Sequence, residues 1–544
     1  MFVEKNIGKI GDAKLHNSPP SSLAIAHTRW ATHGGVTKEN AHPHLDCSKT
    51  IALIHNGIIE NYDTLKKQLH LQHTFISETD TEVAVHTIEE KLHTMPFSEA
   101  VRKTFLACTG SNAMVTINTK SNEIIAIRNG SPLVVGYGDN EQFIASDAAG
   151  LLPYTKRIHF LEDNEMAILT KNKIEIIDIE TNKKKHIVPT VLTWTRAAAT
   201  KAGFDSYMEK ELNEQPAVIQ TITQNISHAT QLSSAIQKSR GAYLIGCGSA
   251  YYACLAGTYL FSTIAKRHIN ATVASEFTFQ EDFINEKSLV VALSQSGETM
   301  DIIDAVKRAK AKGATIASIV NVEGSTLSRL SNFAIPSKAG PEMAVASTKD
   351  LTAKLAHLVL TAYASIDNVK KGTSILTKAH KEITRICSPS SKQKLLTIAQ
   401  ILCHTNHLFI VGRGLSYPAA LEIAMKIKEI TYIHAEGLAA GELKHGTIAL
   451  IEKGTPCIVL APNDETHGAN IAAAMELKAR GAIIIGISHL RHEVFDQYLE
   501  VRDCGPATII PTIVAGQLLA LAISTEKGLD PDKPRNLAKS VTVK

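Results

Sequence analysis

The sequence predicts an α/β protein, with an α+β domain first and two αβα domains with parallel sheets after it. Three observations support this. Short apolar runs of strand length dominate residues 1–190, strand and helix patterns alternate beyond them, and one strand–turn–helix unit occurs twice. Because 544 residues are too many for one hydrophobic core, two or three domains are expected.

Residues 1–192 are assigned to the first domain, which consists of short strand patterns separated by polar turns. An amphipathic pattern around Asp80–Leu92 predicts a helix among them. Strands in runs with few helices are typical of a layered α+β domain. The predicted strands are Ile51–His55, Ala113–Ile117, Ile124–Ile127, Leu133–Gly136, Phe143–Ala145, Met166–Leu169 and Lys173–Ile177.

Residues 193–212 are assigned to a linker, because Thr193–Ser206 is rich in Ala, Thr and Gly and has no strand alternation. Beyond the linker, apolar strands alternate with helix-length patterns, which indicates parallel sheets flanked by helices. Domains are expected at 213–372 and 373–529, followed by a tail at 530–544. The predicted strands are Ala242–Gly246, Leu289–Leu293, Ile316–Val320, Leu408–Val411, Cys457–Leu460 and Ala482–Ile487.

An internal repeat lies in this second half. Tyr243–Ala253 and Phe409–Ala419 each have the pattern of a strand, a Gly-x-Gly turn and a helix start. Val291–Thr299 and Ile458–Thr466 correspond at nearly the same offset. The sequence therefore predicts two copies of one nucleotide-fold-like unit.

Composition excludes several classes of function. A net charge of +4 over 544 residues, without a long basic block, gives no support for nucleic-acid or membrane-surface binding. We expect no apolar stretch to reach the roughly 18 residues of a membrane span, and Met1–Lys5 does not resemble a signal peptide. The eight cysteines form no CxxC pair and no metal-ligand spacing, so we expect reduced thiols, no metal and a cytoplasmic protein.

Nucleotide cofactors are not expected either. The chain contains no Gly-x-x-x-x-Gly-Lys-Ser/Thr motif. Its two Gly-x-Gly turns, at Gly246 and Gly412, lack the third glycine of a dinucleotide fingerprint. The sequence thus predicts no cofactor.

A candidate phosphate site occurs in the first copy of the repeat. Ser294-Gln295-Ser296-Gly297-Glu298-Thr299 leaves an apolar strand and enters a helix predicted to start near Thr299. Hydroxyls and free N–H groups at a helix N-terminus bind anions, and ligands of parallel sheets bind at the carboxyl ends of the strands. Ser249, on the preceding Gly-x-Gly turn, adds a hydroxyl. The alternative is an ordinary N-cap serine with its turn.

The second copy lacks this feature. Ala461-Pro462-Asn463-Asp464 stands at the matching place, without a serine pair and with a carboxylate that would repel phosphate. One sugar-phosphate site per chain is therefore expected.

The Ser294–Thr299 run resembles sugar isomerase (SIS) domains, which bind phosphorylated sugars. Ala344–Lys349, His434–Gly446 and Asp532–Lys544 are similar to the isomerase half of the glutamine:fructose-6-phosphate amidotransferases. The motifs His27-Thr-Arg-Trp-Ala-Thr-His-Gly34, His55-Asn-Gly57 and Ser77-Glu-Thr-Asp80 resemble the glutaminase half of that family, an Ntn-type domain. The resemblance covers nearly the whole chain in the family's order.

The resemblance implies a role for each matching residue of the isomerase half. Lys539 would form a Schiff base at C2 of the open-chain ketose, and Glu429 would move a proton between C1 and C2. His445 would open the sugar ring from the other subunit of a homodimer, and Lys426 would stabilise the enolamine-like intermediate. The residues expected to hold fructose 6-phosphate are Ser249, Ser294, Gln295, Ser296, Thr299, Val345 and Ser347.

Each assignment has a plainer alternative. Glu429 and Lys426 have the spacing of an exposed i,i+3 pair, His445 that of a loop histidine, and Lys539 that of a solvated tail lysine. One departure from the family pattern is Ala250, where serine is usual, so one hydroxyl contact of about 0.5–1.5 kcal/mol is missing.

The resemblance also implies a glutamine pocket. Arg29 and Asp80 would bind the carboxylate and amine of glutamine, and Asn56 with Gly57 would form the oxyanion hole. Trp30, Thr32 and His33 would contribute to the pocket and its gating.

The family's nucleophile is a cysteine at the start of the chain, and here Phe2 follows Met1. Because Cys47 and Cys108 are not terminal, neither is expected to replace it. The expectation is an incomplete glutaminase domain, with an upstream start or a truncated product as explanations.

The resemblance implies synthesis of glucosamine 6-phosphate from fructose 6-phosphate and glutamine. For the chain as printed, we expect sugar-phosphate isomerisation or use of free ammonia. Two alternatives remain, a glutamine-independent SIS isomerase or deglycase, and a sugar-phosphate sensor without turnover.

Overall fold

The computed structural model describes residues 1–8, 18–29, 33–192, 194 and 200–539. It divides into two compact units. The N-terminal unit comprises Met1–Arg196 together with Glu298–Met300, and the C-terminal unit comprises Ala197–Gly297 and Asp301–Lys539. Each unit is described separately below.

The N-terminal unit is built on two antiparallel sheets. A seven-stranded sheet has the order β1-β2-β3-β4-β8-β9-β10, and a four-stranded sheet has the order β11-β7-β5-β6. The strands are β1 (His44–Leu45), β2 (Ile51–Gly57), β3 (Asn112–Asn118), β4 (Ile124–Asn129), β5 (Val134–Tyr137), β6 (Gln142–Ala145), β7 (Arg157–Phe160), β8 (Glu165–Thr170), β9 (Lys173–Asp178), β10 (Lys183–Lys185) and β11 (Thr190–Val191).

Apolar side chains cover both faces of the larger sheet. One face packs against helices α1 (Tyr62–Lys67), α2 (Asp80–Lys91) and α3 (Phe97–Ala107). The other face packs against the four-stranded sheet. The alternation along β2 explains both layers, because Leu53 enters the helical side and Ala52 and Ile54 enter the sheet side.

The C-terminal unit alternates strands and helices. Its strands are β12 (Gly241–Gly246), β13 (Asn270–Val273), β14 (Ser288–Ser294), β15 (Thr315–Val320), β16 (Phe333–Pro336), β17 (His407–Gly412), β18 (His434–Ala439), β19 (Pro456–Ala461), β20 (Ile483–Ser488) and β21 (Gln497–Glu500). Its helices are α4 (Tyr207–Thr223), α5 (Ser227–Lys238), α6 (Ser249–Leu260), α7 (Ala274–Phe277), α8 (Met300–Ala311), α9 (Thr326–Leu330), α10 (Lys349–Ala364), α11 (Val369–Ile386), α12 (Pro389–Leu402), α13 (Ser416–Thr431), α14 (His467–Lys478) and α15 (Ile509–Glu526).

The repeat predicted from the sequence is confirmed by the topology. Two five-stranded parallel sheets have the orders β13-β12-β14-β15-β16 and β18-β17-β19-β20-β21. The second strand in sequence of each copy is an edge strand, and the first lies beside it. The fold class and every strand predicted from the apolar runs are confirmed, with ends that differ by a few residues.

The linker and the domain bounds stay predictions. Thr193 and residues 195–199 lie outside the described residues. Helix α4 begins at Tyr207, inside the stretch assigned to the linker.

One prediction about apolar stretches is wrong. Within the described residues, the 22-residue segment Gly505–Glu526, which contains α15, has a mean hydropathy of 1.8 and is long and apolar enough to cross a membrane. However, 83% of its most apolar window is buried inside the fold. Because α15 packs against α12 and α13, its composition is that of a core helix.

Candidate functional site

The serine-rich turn follows β14 directly, at the carboxyl end of a central strand. Ser294 Oγ accepts the N–H of Gly297 at 2.9 Å, which closes the turn. Gly297 has φ +69°, and a Cβ at this position would lie 2.1 Å from Ser325 Oγ. Only glycine fits here, so the tight turn is a consequence of the sequence.

The other predicted residues of this turn differ in exposure. Ser294 and Ser296 are buried, whereas Gln295 and Thr299 are half-buried. Thr299 immediately precedes α8, close to the predicted helix start. The turn therefore offers two partly accessible polar side chains at the end of a sheet.

Ser249 is the first residue of α6 and is buried. Its hydroxyl donates to Glu422 Oε1 at 3.1 Å. The neighbouring Ala250 is also buried. Ser249 is predicted from the sequence to bind the sugar phosphate. In the structure its hydroxyl already has a partner, the Glu422 carboxylate on α13.

Three charged side chains lie along consecutive turns of α13. Lys426 Nζ is 3.6 Å from Glu422 Oε1 and 2.5 Å from Glu429 Oε2. The side chains of Lys426 and Glu422 are inaccessible to solvent, and that of Glu429 is 15% exposed. The plainer reading of an exposed pair is wrong, because the lysine is buried between two carboxylates.

Burial changes the ionisation of this cluster. Burial raises the pKa of Glu422 to about 7, although the positive charge of Lys426 acts in the opposite direction. Burial also lowers the pKa of Lys426, but Glu429 and Glu422 outweigh it and keep that pKa above the ordinary value. Lys426 is therefore a fixed cation. Glu422 was missed from the sequence, where it is one more charge on a helix.

Glu429 lines a groove of about 490 Å³. The end of α13 and the residues after it form one wall, and Arg535–Leu537 of the C-terminal tail form the other. Tyr432 holds the tail there, because its Oη accepts the N–H of Arg535 at 2.8 Å and its ring lies 4.1 Å from the guanidinium.

Lys539 is tethered rather than solvated. Its Nζ donates to Glu342 Oε2 at 3.0 Å and to the carbonyl of Ala344 at 2.6 Å. Glu342 is fully buried, and despite that burial the charge of Lys539 holds the pKa of Glu342 at about 2. These contacts do not fit the alternative of a solvated tail lysine, and the role of Lys539 in imine formation stays a prediction.

Val345 and Ser347 lie on the same loop, before α10, and both are half-buried. The N–H of Val345 donates to the carbonyl of Asp532 at 3.0 Å. The Asp532 carboxylate in turn accepts the N–H groups of Tyr207 and Met208, at 2.9 and 2.8 Å, at the start of α4. These contacts fix the tail that carries Lys539.

Glu211 supports the same loop from α4. Its Oε1 accepts the N–H groups of Met343 and Ala344, the second at 3.1 Å. Burial and the nearby charge of Glu342 raise the pKa of Glu211 to about 8. No local pattern marks Glu211 or Glu342, since each is a single acid whose partners are far away in sequence.

His445 stands apart from these groups. It ends a short 3₁₀ helix, Ala440–His445, and its side chain is exposed. Among the residues that the structure describes, no hydrogen bond joins it to Lys426, Glu429 or Lys539.

In the N-terminal unit, Arg29 orders the loop that follows it. The guanidinium donates to the carbonyls of Gly35, His33 and Gly34 at 2.8, 2.5 and 3.0 Å. Burial lowers the pKa of Arg29, and the charges of Asp80 and Glu78 partly offset this. Asp80 is thus within electrostatic reach of Arg29.

Asp80 is the first residue of α2 and is buried. Its Oδ2 accepts the N–H of Ile59 at 2.7 Å, two residues beyond Gly57. This bond connects the start of α2 to the end of β2, where Asn56 and Gly57 lie.

Asn56 and Gly57 have the geometry of a constrained strand end. Asn56 Oδ1 lies 2.8 Å from His27 Nε2. Gly57 has φ +127°, and a Cβ there would lie 2.0 Å from the carbonyl oxygen of Ser111. The structure brings Arg29, His33, Asn56, Gly57 and Asp80 into one region of this unit, whereas Trp30 and Thr32 lie outside the described residues.

Two histidines of this region were missed from the sequence. His42 stacks on His27 with ring centroids 4.3 Å apart, and burial lowers its pKa well below the ordinary value. His55 is held between Thr81 Oγ1 and Asn112 Oδ1, at 3.0 and 2.9 Å. Because they are buried, these rings act as neutral packing groups around Asn56.

Family models match both units. The SIS domain model matches residues 235–364 and 401–501, and the model for the glutamine amidotransferase domain matches residues 27–153. The SIS model matches the chain twice, once for each copy of the internal repeat.

Curated relatives match over nearly the whole chain. The glutamine--fructose-6-phosphate aminotransferase [isomerizing] of Pyrococcus horikoshii is 41% identical over 100% of this chain and 93% of its own length. The protein of the same name from Caldanaerobacter subterraneus subsp. tengcongensis is 41% identical over 96% of this chain and 89% of its own length.

A solved structure also matches the C-terminal unit. The C-terminal domain of glucosamine-fructose-6-phosphate aminotransferase from Francisella tularensis has 29% identity and a TM-score of 0.54, covering 61% of this chain and 100% of that domain.

Proposed function

This chain belongs to the family of glutamine--fructose-6-phosphate aminotransferases (isomerizing), and from that premise we propose how its own residues carry out the reaction. The enzyme is an amidotransferase that makes glucosamine 6-phosphate from fructose 6-phosphate and glutamine. The roles of individual residues, the homodimer and the cytoplasmic location are our proposals.

Lys539 is the residue that forms the imine. Its amine adds to the C2 carbonyl of the open-chain ketose, and water leaves as the C=N bond forms. Ammonia derived from the glutamine amide then replaces the lysine at C2 and returns its free amine. Because Lys539 is ion-paired with Glu342, we expect the bound sugar to draw Lys539 away from Glu342 before it reacts.

Glu429 moves the proton. It takes a proton from C1 and delivers one to C2, while the proton of the C1 hydroxyl passes to the nitrogen. C1 thereby becomes the carbonyl carbon, and the nitrogen remains on C2 as an amine. The groove beside Glu429 and the tail gives the carboxylate access to a ligand. Lys426, a buried fixed cation 2.5 Å away, stabilises negative charge that develops on the intermediate.

The phosphate is bound by the turn at the end of β14. Ser294, Gln295, Ser296 and Thr299 supply hydroxyl and amide groups there, with the N–H groups of the turn. Ser249, Val345 and Ser347 complete the pocket. His445 opens the sugar ring in a second copy of the chain, a role that its exposure on a short helical turn supports.

In the N-terminal unit, Arg29 and Asp80 bind the charged end of glutamine, and Asn56 and Gly57 stabilise the oxyanion. His33 lines this pocket, as do Trp30 and Thr32. Assays with glutamine and with ammonium salts compare the two nitrogen sources directly.

The observation that carries the proposal is the contact of Lys539 with Glu342, beside the loop before α10 that holds Val345 and Ser347. Borohydride reduction in the presence of fructose 6-phosphate is expected to fix the sugar on Lys539, as detected by peptide mass spectrometry. Lys539→Arg should abolish both the label and product formation with ammonium. Lys533→Arg, at an exposed lysine of the same tail, should retain both.

The alternatives give different results. A sugar-phosphate sensor would show no reducible adduct on any lysine. A glutamine-independent isomerase would interconvert sugar phosphates yet incorporate no nitrogen from ammonium. Product formation by Lys539→Arg at the wild-type rate would contradict the assignment.

A further inference from the structure

Four side chains of metal-binding type converge in the N-terminal unit, away from the glutamine pocket residues. They are Cys47, His73, His86 and Glu89, and their ligand atoms all lie within 4.8 Å of one another. Cys47 Sγ is 3.5 Å from His73 Nδ1 and 3.7 Å from His86 Nδ1. Glu89 Oε2 is 3.1 Å from His73 Nδ1 and 2.9 Å from His86 Nδ1.

These separations fit a tetrahedral metal site. Zinc bonds of about 2.0–2.3 Å place the ligand atoms of a tetrahedron roughly 3.3–3.7 Å apart. Four of the six separations in this cluster are 3.5, 3.7, 3.1 and 2.9 Å. Shifts of a few tenths of an ångström would bring these four into that range, and the other two separations are no longer than 4.8 Å.

The outer nitrogens of both histidines also face carboxylates. His73 Nε2 lies 3.3 Å from Glu90 Oε1, and His86 Nε2 lies 3.9 Å from Glu82 Oε1. Metal-bound histidines characteristically present their second ring nitrogen to a carboxylate, which fixes the tautomer and orients the ring. In His73 this arrangement favours the proton on Nε2 and leaves Nδ1 as a lone-pair donor toward the cluster. His86 Nε2 makes no hydrogen bond within the described residues.

A hydrogen-bonded cluster without metal is the alternative. It explains the arrangement less well, because each Nδ1 faces both the thiol and the carboxylate, and one N–H cannot point at both with good geometry. The two imidazoles are nearly inaccessible, with side chains 3% and 1% exposed. Four lone-pair donors around a cation satisfy all of these groups at once.

We propose that Cys47, His73, His86 and Glu89 form a structural Zn²⁺ site. The thiolate and the carboxylate balance the charge of the ion, and four protein ligands leave no open position for catalysis. The site connects the loop between β1 and β2, the loop before α2, and α2 itself. Because α2 begins at Asp80, the metal orders the helix that presents this proposed glutamine ligand.

No local sequence pattern indicates this site. Spacing rules rely on ligands a few residues apart, whereas Cys47 and His73 are separated by 26 positions. The expectation of no metal rested on those rules, and it is the fold that assembles the four residues.

Metal content is the first test. The full-length chain is stripped with a chelator, reloaded with Zn²⁺, dialysed and analysed by atomic spectrometry. The wild type should hold one zinc ion more per chain than Cys47→Ser and than His73→Asn. Cys108→Ser and His93→Asn, which change a half-buried cysteine and an exposed histidine of the same unit, should match the wild type.

Cobalt spectroscopy tests the geometry without relying on any variant. Loading the wild type with Co²⁺ should give the intense visible bands of a tetrahedral ion and a near-ultraviolet band from thiolate-to-cobalt charge transfer. Cys47→Ser should lose the near-ultraviolet band. Cys47 is exposed, so this variant is expected to fold, and circular dichroism checks that it does.

Two results would overturn the proposal. One is a wild-type chain that keeps no zinc above the level of Cys47→Ser. The other is cobalt binding with weak octahedral bands and no charge-transfer band. Thermal melting gives an independent readout, because Zn²⁺ should raise the midpoint of the wild type and leave that of Cys47→Ser unchanged.

Discussion

At the scale of one residue, Lys426 shows how burial changes the energetic contribution of a charged side chain. Its ammonium lies between Glu422 and Glu429 without access to solvent. Removing one member of a buried charge cluster costs more than the pair contributes, because the partner is left unpaired. A buried salt bridge is therefore weak evidence for stability, which favours a chemical role for this cluster.

The raised pKa of Glu422 leads to a prediction about pH and stability. Its folded pKa is about 7 because of burial, above that of an unfolded glutamate. The folded state therefore holds this proton to higher pH, and stability falls as the pH rises from about 4.5 to 7. Glu422→Gln should remove this part of the decline, on the order of 3 kcal/mol at most.

Thermal unfolding between pH 4.5 and 8 measures this effect. In the wild type the midpoint should fall more steeply toward pH 7 than in Glu422→Gln. Glu476→Gln, at an exposed position on α14, should keep the wild-type slope. If the unfolding midpoints of Glu422→Gln and of the wild type change with pH in the same way, the Glu422 carboxyl does not titrate between pH 4.5 and 8.

At the scale of elements, the turn after β14 depends on one glycine. Gly297 has φ +69°, and an added Cβ would lie 2.1 Å from Ser325 Oγ and 2.6 Å from its Cβ. Gly297→Ala should destabilise the turn by roughly 1–3 kcal/mol and weaken sugar-phosphate binding strongly, because the serine N–H and hydroxyl groups lose their positions.

Gly313 provides the matched control. It also has a positive φ, +85°, but its nearest neighbour would be 3.4 Å from an added Cβ. Gly313→Ala should therefore cost only the backbone strain of about 1 kcal/mol and leave binding unchanged. Calorimetric titration with fructose 6-phosphate compares the two variants, and equal affinities would contradict a role for the turn.

The sequence was sufficient for elements whose pattern is local. The apolar runs of β14 and β19 predicted parallel strands, and the Gly-x-Gly turns predicted the starts of α6 and α13. The expectation that no apolar stretch reaches the length of a membrane span was wrong at α15. A helix buried on all sides has the composition of such a span, so composition does not separate the two. Its burial depends on α12 and α13, which the segment itself does not encode.

At the scale of the whole molecule, the unpredicted contacts join distant parts of the chain. Asp532 accepts the N–H groups of Tyr207 and Met208, more than 320 positions away. Glu211 likewise accepts the N–H groups of Met343 and Ala344, which are also far away in sequence. No window of sequence contains both partners, so the candidate ligands were predicted by resemblance and the acids that position them were not.

The two copies of the repeat have the same strand order, yet only the first has a serine-rich turn. In the second copy, Asp464 Oδ1 accepts the N–H and hydroxyl of Thr466, at 2.8 and 2.6 Å. The Asp464 carboxylate thus occupies the donors at the start of α14. A phosphate at this place would be repelled by its negative charge. The duplication of the fold does not duplicate the site.

Binding of fructose 6-phosphate should therefore saturate at one equivalent per chain. Ser296→Ala should weaken this binding, whereas Asp464→Ser should change neither the affinity nor the stoichiometry, since a single serine does not rebuild the turn around Gly297. Titration calorimetry counts the sites. Two results would contradict this prediction: two equivalents of fructose 6-phosphate bound to the wild type, or one equivalent bound to Ser296→Ala with wild-type affinity. Either result would place phosphate recognition elsewhere, because the proposed site depends on hydroxyl groups that only the first copy has.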